Sequence, residues 1–172
     1  MGFEQYKFKF YLNANHAIQI NGHSGQVHPH TWEISIVTVN TNDNFVRFND
    51  MEAIVDKLFD KYQDRLINEA EPFDRINPTL ENMCEVFKDE IDAILKSKGW
   101  ELRSIEVSET PARSYVMNYS DGSGFERKEQ ALPKPDKALQ EQRVTDIINE
   151  YLHPEDSILL EIRRMTEKGN GH

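Results

Sequence analysis

YKFKFYLNANH at positions 6–16 and HPHTWEISI at positions 28–36 decide how this chain folds. In the first stretch Tyr6, Phe8, Phe10, Leu12, Ala14 and His16 share one parity, and Lys7, Lys9, Tyr11, Asn13 and Asn15 take the other. In the second, His28, His30, Trp32, Ile34 and Ile36 oppose Thr31, Glu33 and Ser35. Period-two alternation of this kind marks strands with one face toward a core. The turn-prone Asn21-Gly22-His23-Ser24-Gly25 lies between them, so the two strands read as a long antiparallel hairpin. Of the six histidines in the chain, four (His16, His23, His28 and His30) fall in this short window, and three of those lie on the inward parity.

Beyond the polar stretch from Asn40 to Asn44 the period changes. Met51, Ile54, Val55, Leu58, Phe59, Tyr62 and Leu66 follow helical spacing and predict an amphipathic helix. Asn77-Pro78 reads as an N-cap followed by proline at the first helical position. The helix it opens carries Leu80, Met83, Cys84, Phe87, Ile91, Ile94 and Leu95 and stops near Gly99. Strands return at Leu102 to Glu109 and at Ser114 to Asn118, with Ile105, Val107 and Glu109 on one face. The order strand, strand, helix, helix, strand, strand predicts an α+β fold: an antiparallel four-stranded sheet with two helices on one face. Residues 120–135, rich in Gly, Ser, Lys and Pro, read as a linker or loop. A helical C-terminal extension, 136–172, follows. It carries Leu139, Val144, Ile147, Ile148, Tyr151 and Leu152 on one helix, and a second helix from Pro154 with Ile158, Leu159, Ile162 and Met165.

The 172 residues hold 20 Lys plus Arg against 30 Asp plus Glu, a formal net charge of −10 with histidine neutral. A nucleic-acid binder neutralises phosphates with a basic face, and no stretch here concentrates Lys and Arg enough to form one. An anionic membrane surface is disfavoured for the same reason. Apolar runs are only a few residues, against roughly 20 for a membrane span, and MGFEQYKFKF has no signal-peptide core. These features predict a soluble, cytoplasmic protein without membrane or nucleic-acid partners. The single cysteine, Cys84, allows no intramolecular disulfide framework and sits in a helical apolar stripe, as a core residue would.

His28 and His30, two apart on a strand, project from one face about 7 Å apart along it, and His16 continues the inward parity of the neighbouring strand. Three neutral imidazoles with one open position describe catalytic rather than structural zinc; the competing reading is three aromatic-like core residues. Glu109 on an apolar face is costly unless paired with a cation or a hydrogen-bonding ligand, or unless a bulge turns it outward. His23, in the loop, carries no parity constraint and reads as solvent-exposed.

The order of elements and these residues resemble the 6-pyruvoyltetrahydropterin synthase and 6-carboxytetrahydropterin synthase family, which has the tunnelling architecture, or T-fold. Asn13-Ala14-Asn15-His16 resembles the stretch with that family's first zinc ligand, and His28-Pro29-His30 its His-Gly-His pair. Asn77-Pro78-Thr79-Leu80-Glu81-Asn82 resembles its Asn-Pro-Thr-x-Glu-Asn helix start, and Glu109-Thr110 its Glu-Thr pterin anchor. The resemblance spans about residues 4 to 118, so that 1–119 form the family-like domain. It implies zinc on His16, His28 and His30, and a reduced pterin held by Glu109 and Thr110. It implies homo-oligomers, trimers that pair into hexamers. It also implies lyase chemistry, breaking a carbon–oxygen or carbon–carbon bond in 7,8-dihydroneopterin triphosphate or a related pterin.

The catalytic cysteine of that family, four residues before the first histidine of the pair, is here Ser24. Its Asp-His pair falls on Gln63 and Asp64, ahead of Ile67-Asn68. With the proton-transfer set replaced, three readings stand: a lyase with a rewired site in which Ser24, Asp64 or His23 takes part, a non-catalytic zinc- and pterin-binding module, and a structural oligomer whose zinc only pins strands.

Overall fold

The computed structural model describes residues 5–41, 47–119 and 137–152. The second C-terminal helix expected from Pro154 and the linker at 120–135 lie outside the described residues. Strand β1 (Tyr6–His16) pairs antiparallel with β4 (His28–Asn40), with Ala14 opposite His30 and His16 opposite His28. Phe8, Phe10, Leu12, Ala14 and His16 are buried at every second position, while Tyr6, at the strand's start, is exposed. Between the two long strands the chain forms a second, tiny hairpin, β2 (Gln19–Ile20) with β3 (His23–Ser24). Its turn places Asn21 at φ 51° and Gly22 at φ 79°. Two successive positive φ values are what a two-residue hairpin loop needs, and Asn-Gly supplies them at low steric cost.

The sheet order is β1-β4-β5-β6, with β5 at Trp100–Thr110 and β6 at Arg113–Asn118. Trp32, Ile34 and Ile36 of β4 face the same core as Ile105 and Val107 of β5. A register shift at Val37/Thr38 lets Leu102 and Trp100 turn inward too, although their parity differs from that of Ile105. A second shift, between Ser108 and Thr110, leaves Glu109 without a counterpart on β6.

Helices α1 (Phe48–Phe59) and α2 (Leu80–Ser97) cover the inner face of the sheet. Met51, Ile54, Val55, Leu58 and Phe59 of α1 meet Met83, Cys84, Phe87 and Ile91 of α2 in one core. Helix α1 is shorter than its stripe predicts. It stops at Phe59; Tyr62 is buried from the turn that follows, and Leu66 instead makes a parallel bridge to Asn15 of β1. The cap of α2 also differs from the expectation. Thr79, not Asn77, is the N-cap, its hydroxyl accepting from the Asn82 amide at 3.4 Å. Proline at 78 therefore precedes the cap, and the Asn77 side chain is free to act elsewhere.

Helix α3 (Lys137–Leu152) packs on α1 and α2, away from the sheet. Val144 and Ile147 are buried in the same core, whereas Leu139, expected on the packed stripe, is exposed. Arg143 ties the three helices together: it donates to the buried Glu90 of α2, and its Nη2 donates to the Leu58 carbonyl in the last turn of α1 at 2.7 Å. Among the described residues no helix is long and apolar enough to cross a membrane.

Candidate metal centre

The end of β1 and the start of β4 bring His16, His28 and His30 together. Each offers one ring nitrogen, and the three nitrogens lie within 4.8 Å of one another. The convergence follows from register. His16 faces His28 directly across the ladder, and His30 is one same-face step further along. Trp32, the next inward residue, is fully buried and forms the floor, its ring 4.9 Å from that of His16 and 5.1 Å from that of His30. Burial grades across the trio: His16 is buried, His30 half-buried and His28 exposed.

Two backbone carbonyls set the protonation pattern. Nδ1 of His16 lies 3.1 Å from the Pro78 carbonyl, and Nδ1 of His28 lies 2.9 Å from the Gln26 carbonyl. A carbonyl only accepts, so each Nδ1 carries the hydrogen and each Nε2 presents a lone pair. These two Nε2 atoms face each other at 3.0 Å. Lone pairs at that distance repel unless a cation lies between them. Burial, the largest influence on His16, holds its pKa below the ordinary histidine range and so favours its neutral form. A metal ion satisfies both rings. Tetrahedral zinc with nitrogen ligands at about 2.05 Å sets them about 3.3 Å apart, close to the spacing here. The donor set of three imidazoles, two of them oriented by carbonyls, therefore fits zinc with one position open.

Glu109 continues the inner face of β5 beyond Ile105 and Val107. Its side chain is only 14% exposed, and Arg113, across the β5–β6 turn, binds its Oε1 at 2.7 Å. The carboxylate acts on His16 through space, in the direction that favours its charged form. Thr110 pairs with Arg113 in the ladder. The remaining expected site residues lie apart from the trio's cluster. Ser24 is exposed on β3 and donates to its neighbour Gly25 at 3.4 Å. His23 is exposed beside it. Asp64 is exposed at φ 57° in the turn after α1, with its amide donating to the Asn13 carbonyl at 2.7 Å. Among the described residues the cluster with metal-ligand spacing is His16, His28 and His30. Sequence reading missed Arg113, whose signal was its place four residues after Glu109, at the start of β6 just past the short turn.

A four-stranded antiparallel sheet backed by helices, with three histidines at the end of its first hairpin, defines an α+β protein of T-fold architecture. The model of the 6-pyruvoyl tetrahydropterin synthase family matches residues 5–119, and the chain belongs to that family. Among solved structures it is similar to 6-pyruvoyl tetrahydropterin synthase of Caenorhabditis elegans, with a TM-score of 0.58 and 14% identity over 70% of this chain and 98% of that one. The Plasmodium falciparum 6-pyruvoyl tetrahydropterin synthase aligns with a TM-score of 0.47 and 15% identity over 67% of this chain and 98% of that one. No curated protein matches the chain. At 14% identity the first likeness is one of fold.

Proposed function

We propose that the chain holds zinc on His16, His28 and His30 and acts as a pterin lyase on 7,8-dihydroneopterin triphosphate or a related reduced pterin. The observation that carries this reading is the pair of Nε2 atoms 3.0 Å apart, with the Glu109 carboxylate close enough to act on His16 through space. When bound, zinc supplies Lewis-acid polarisation of the substrate's side-chain oxygens. The chain's own residues do the rest. Glu109 accepts hydrogen bonds from the aminopyrimidine edge, with Thr110 beside it, and such charge-assisted bonds are about twice as strong as neutral ones. Arg113 engages Oε1 and leaves Oε2 to the ligand. In this reading Ser24 positions a water and Asp64 or His23 acts as base.

The pterin-binding unit is 1–119, with 120–135 as connection and 136–172 as helical extension. The subunits assemble into trimers or hexamers in the cytoplasm. A second reading, a zinc- and pterin-binding module without turnover, is favoured by one observation: Ser24, Asp64 and His23 are all exposed and stand outside the histidine cluster.

Incubation of the zinc-loaded protein with 7,8-dihydroneopterin triphosphate, followed by chromatography, separates the two. A new pterin product supports the lyase; bound but unchanged substrate supports the module; absence of binding contradicts both. Glu109→Gln is expected to weaken pterin affinity about tenfold to a hundredfold, the worth of a hydrogen bond to a charged group, and an unchanged dissociation constant would remove Glu109 from the site.

A further inference from the structure

Strand β1 is an edge strand, paired with β4 on one side only. On its free side, backbone groups of Asn13, Asn15, Ala17 and Gln19 nevertheless find partners. The Asn13 carbonyl accepts from the Asp64 amide at 2.7 Å, and the Asn15 amide donates to the Arg65 carbonyl at 2.8 Å. Past Asn15 the neighbouring backbone leaves the edge, and two side chains take its place. The Asn68 amide group accepts from the Ala17 N–H at 2.8 Å and donates to the Ala17 carbonyl at 2.8 Å. Asn77 does the same to Gln19, accepting at 2.9 Å and donating at 2.8 Å.

A primary amide has one acceptor and two donors in a plane, so it can reproduce both bonds of a peptide group on a strand. Serine, aspartate or alanine cannot. Asn77 is itself anchored: its carbonyl accepts from the side chain of the buried Asn82 at 2.7 Å, in the first turn of α2. The next residue, Pro78, supplies the carbonyl that accepts from His16.

We infer that Asn68 and Asn77 are positioning residues of the metal centre. Their side chains continue the missing strand beside residues 17–19 and so fix His16, at the chain position just before Ala17, and hairpin β2–β3. Without them the segment after His16 has no partner on its free edge, and the His16 ring loses its fixed approach to His28 and His30. This assignment rests on the reading of the trio as a zinc site. Outer partners that orient a ligating histidine change metal affinity about tenfold to a hundredfold when removed.

The test uses the full chain and its Asn68→Asp and Asn77→Asp variants, which keep side-chain size and acceptor but lose the donor, together with Asn68→Ala and Asn77→Ala. Zinc affinity is read by chelator competition, geometry by the visible absorption of the cobalt(II) form, and folding by thermal melting. The expected result is at least about a tenfold rise in zinc dissociation constant and a weakened or shifted cobalt band, in Asp variants that still melt cooperatively. Asp variants with zinc affinity within twofold of the parent and an unchanged cobalt band would overturn the assignment, whatever their melting temperature. A parent protein that takes up no zinc or cobalt at the trio would overturn the metal reading itself, and the assignment with it.

Discussion

Replacing Arg143 by methionine removes a charged clasp between α3 and the rest of the core. Glu90 has 1% of its side chain exposed and Arg143 22%. The guanidinium satisfies Glu90 Oε1 and the Leu58 carbonyl, and it lies 5.6 Å from the Tyr62 ring centre. Glu90 Oε2 has no hydrogen-bond partner among the described residues, so the carboxylate has little to fall back on. Methionine keeps most of the aliphatic stem and deletes the charge. Breaking a buried ion pair from one side costs about 3–5 kcal/mol. Lys61, whose charge also acts on Glu90, and proton uptake by Glu90 both soften the loss, which places the expected value near the lower figure, about 3 kcal/mol.

Urea unfolding of full-length protein at neutral pH, followed by far-ultraviolet circular dichroism, measures it as a drop in midpoint at constant slope. The sign of its pH dependence is fixed as well. Burial raises the Glu90 pKa, so its favourable contribution is present below the unfolded carboxylate value and is lost as pH rises through the raised one. The deficit of Arg143→Met is therefore smaller at pH 5 than at pH 8. Adding Glu90→Leu should recover most of the loss, because replacing both partners by apolar groups is close to neutral. A loss below about 1 kcal/mol, the range of exposed pairs, or a double variant as unstable as the single one, would refute the reasoning.

Two further outcomes are expected. Thr79→Ala removes the N-cap of α2 and should cost about 1 kcal/mol in the same unfolding assay, whereas Asn77→Ala should not act through the cap. Burial lowers the Lys61 pKa to about 8. On its account stability rises with pH between that value and the ordinary lysine range and is lost as pH falls through about 8; Lys61→Met should flatten the stability profile across that window.

Much of the fold was legible because alternation and helical spacing report burial directly. Strand β1 buried Phe8 to His16 at the positions its parity assigned, and β4 buried Trp32, Ile34 and Ile36, while Tyr6 and His28 at the strand starts are exposed; α2 ended at Ser97, near the Gly99 that its stripe indicates. The departures share a cause, a residue whose partner lies far away in sequence. Leu66 keeps helical spacing with Leu58 and Tyr62, but its backbone pairs with Asn15, which ends α1 early. Trp100 and Leu102 change parity relative to Ile105 because the register slips against β4, and nothing local in the sequence announces that slip. Asn77 looks like a cap from its neighbours; its real partner, Gln19, is 58 residues away. At the candidate site, parity alone brought His16, His28 and His30 to one place. The Glu109–Arg113 pair was hidden because a bulge decides where a strand-end side chain turns.

The central claim is that one metal ion resolves the two facing imidazole lone pairs. Metal content by mass spectrometry, after zinc loading and removal of excess, tests it on the parent chain and on a His28→Ala/His30→Ala variant. About one zinc per parent chain is expected, as a single tri-histidine site would hold, with near-complete loss in the double variant and its far-ultraviolet spectrum retained. A parent chain that cannot be loaded, or a double variant that keeps its zinc, would contradict it.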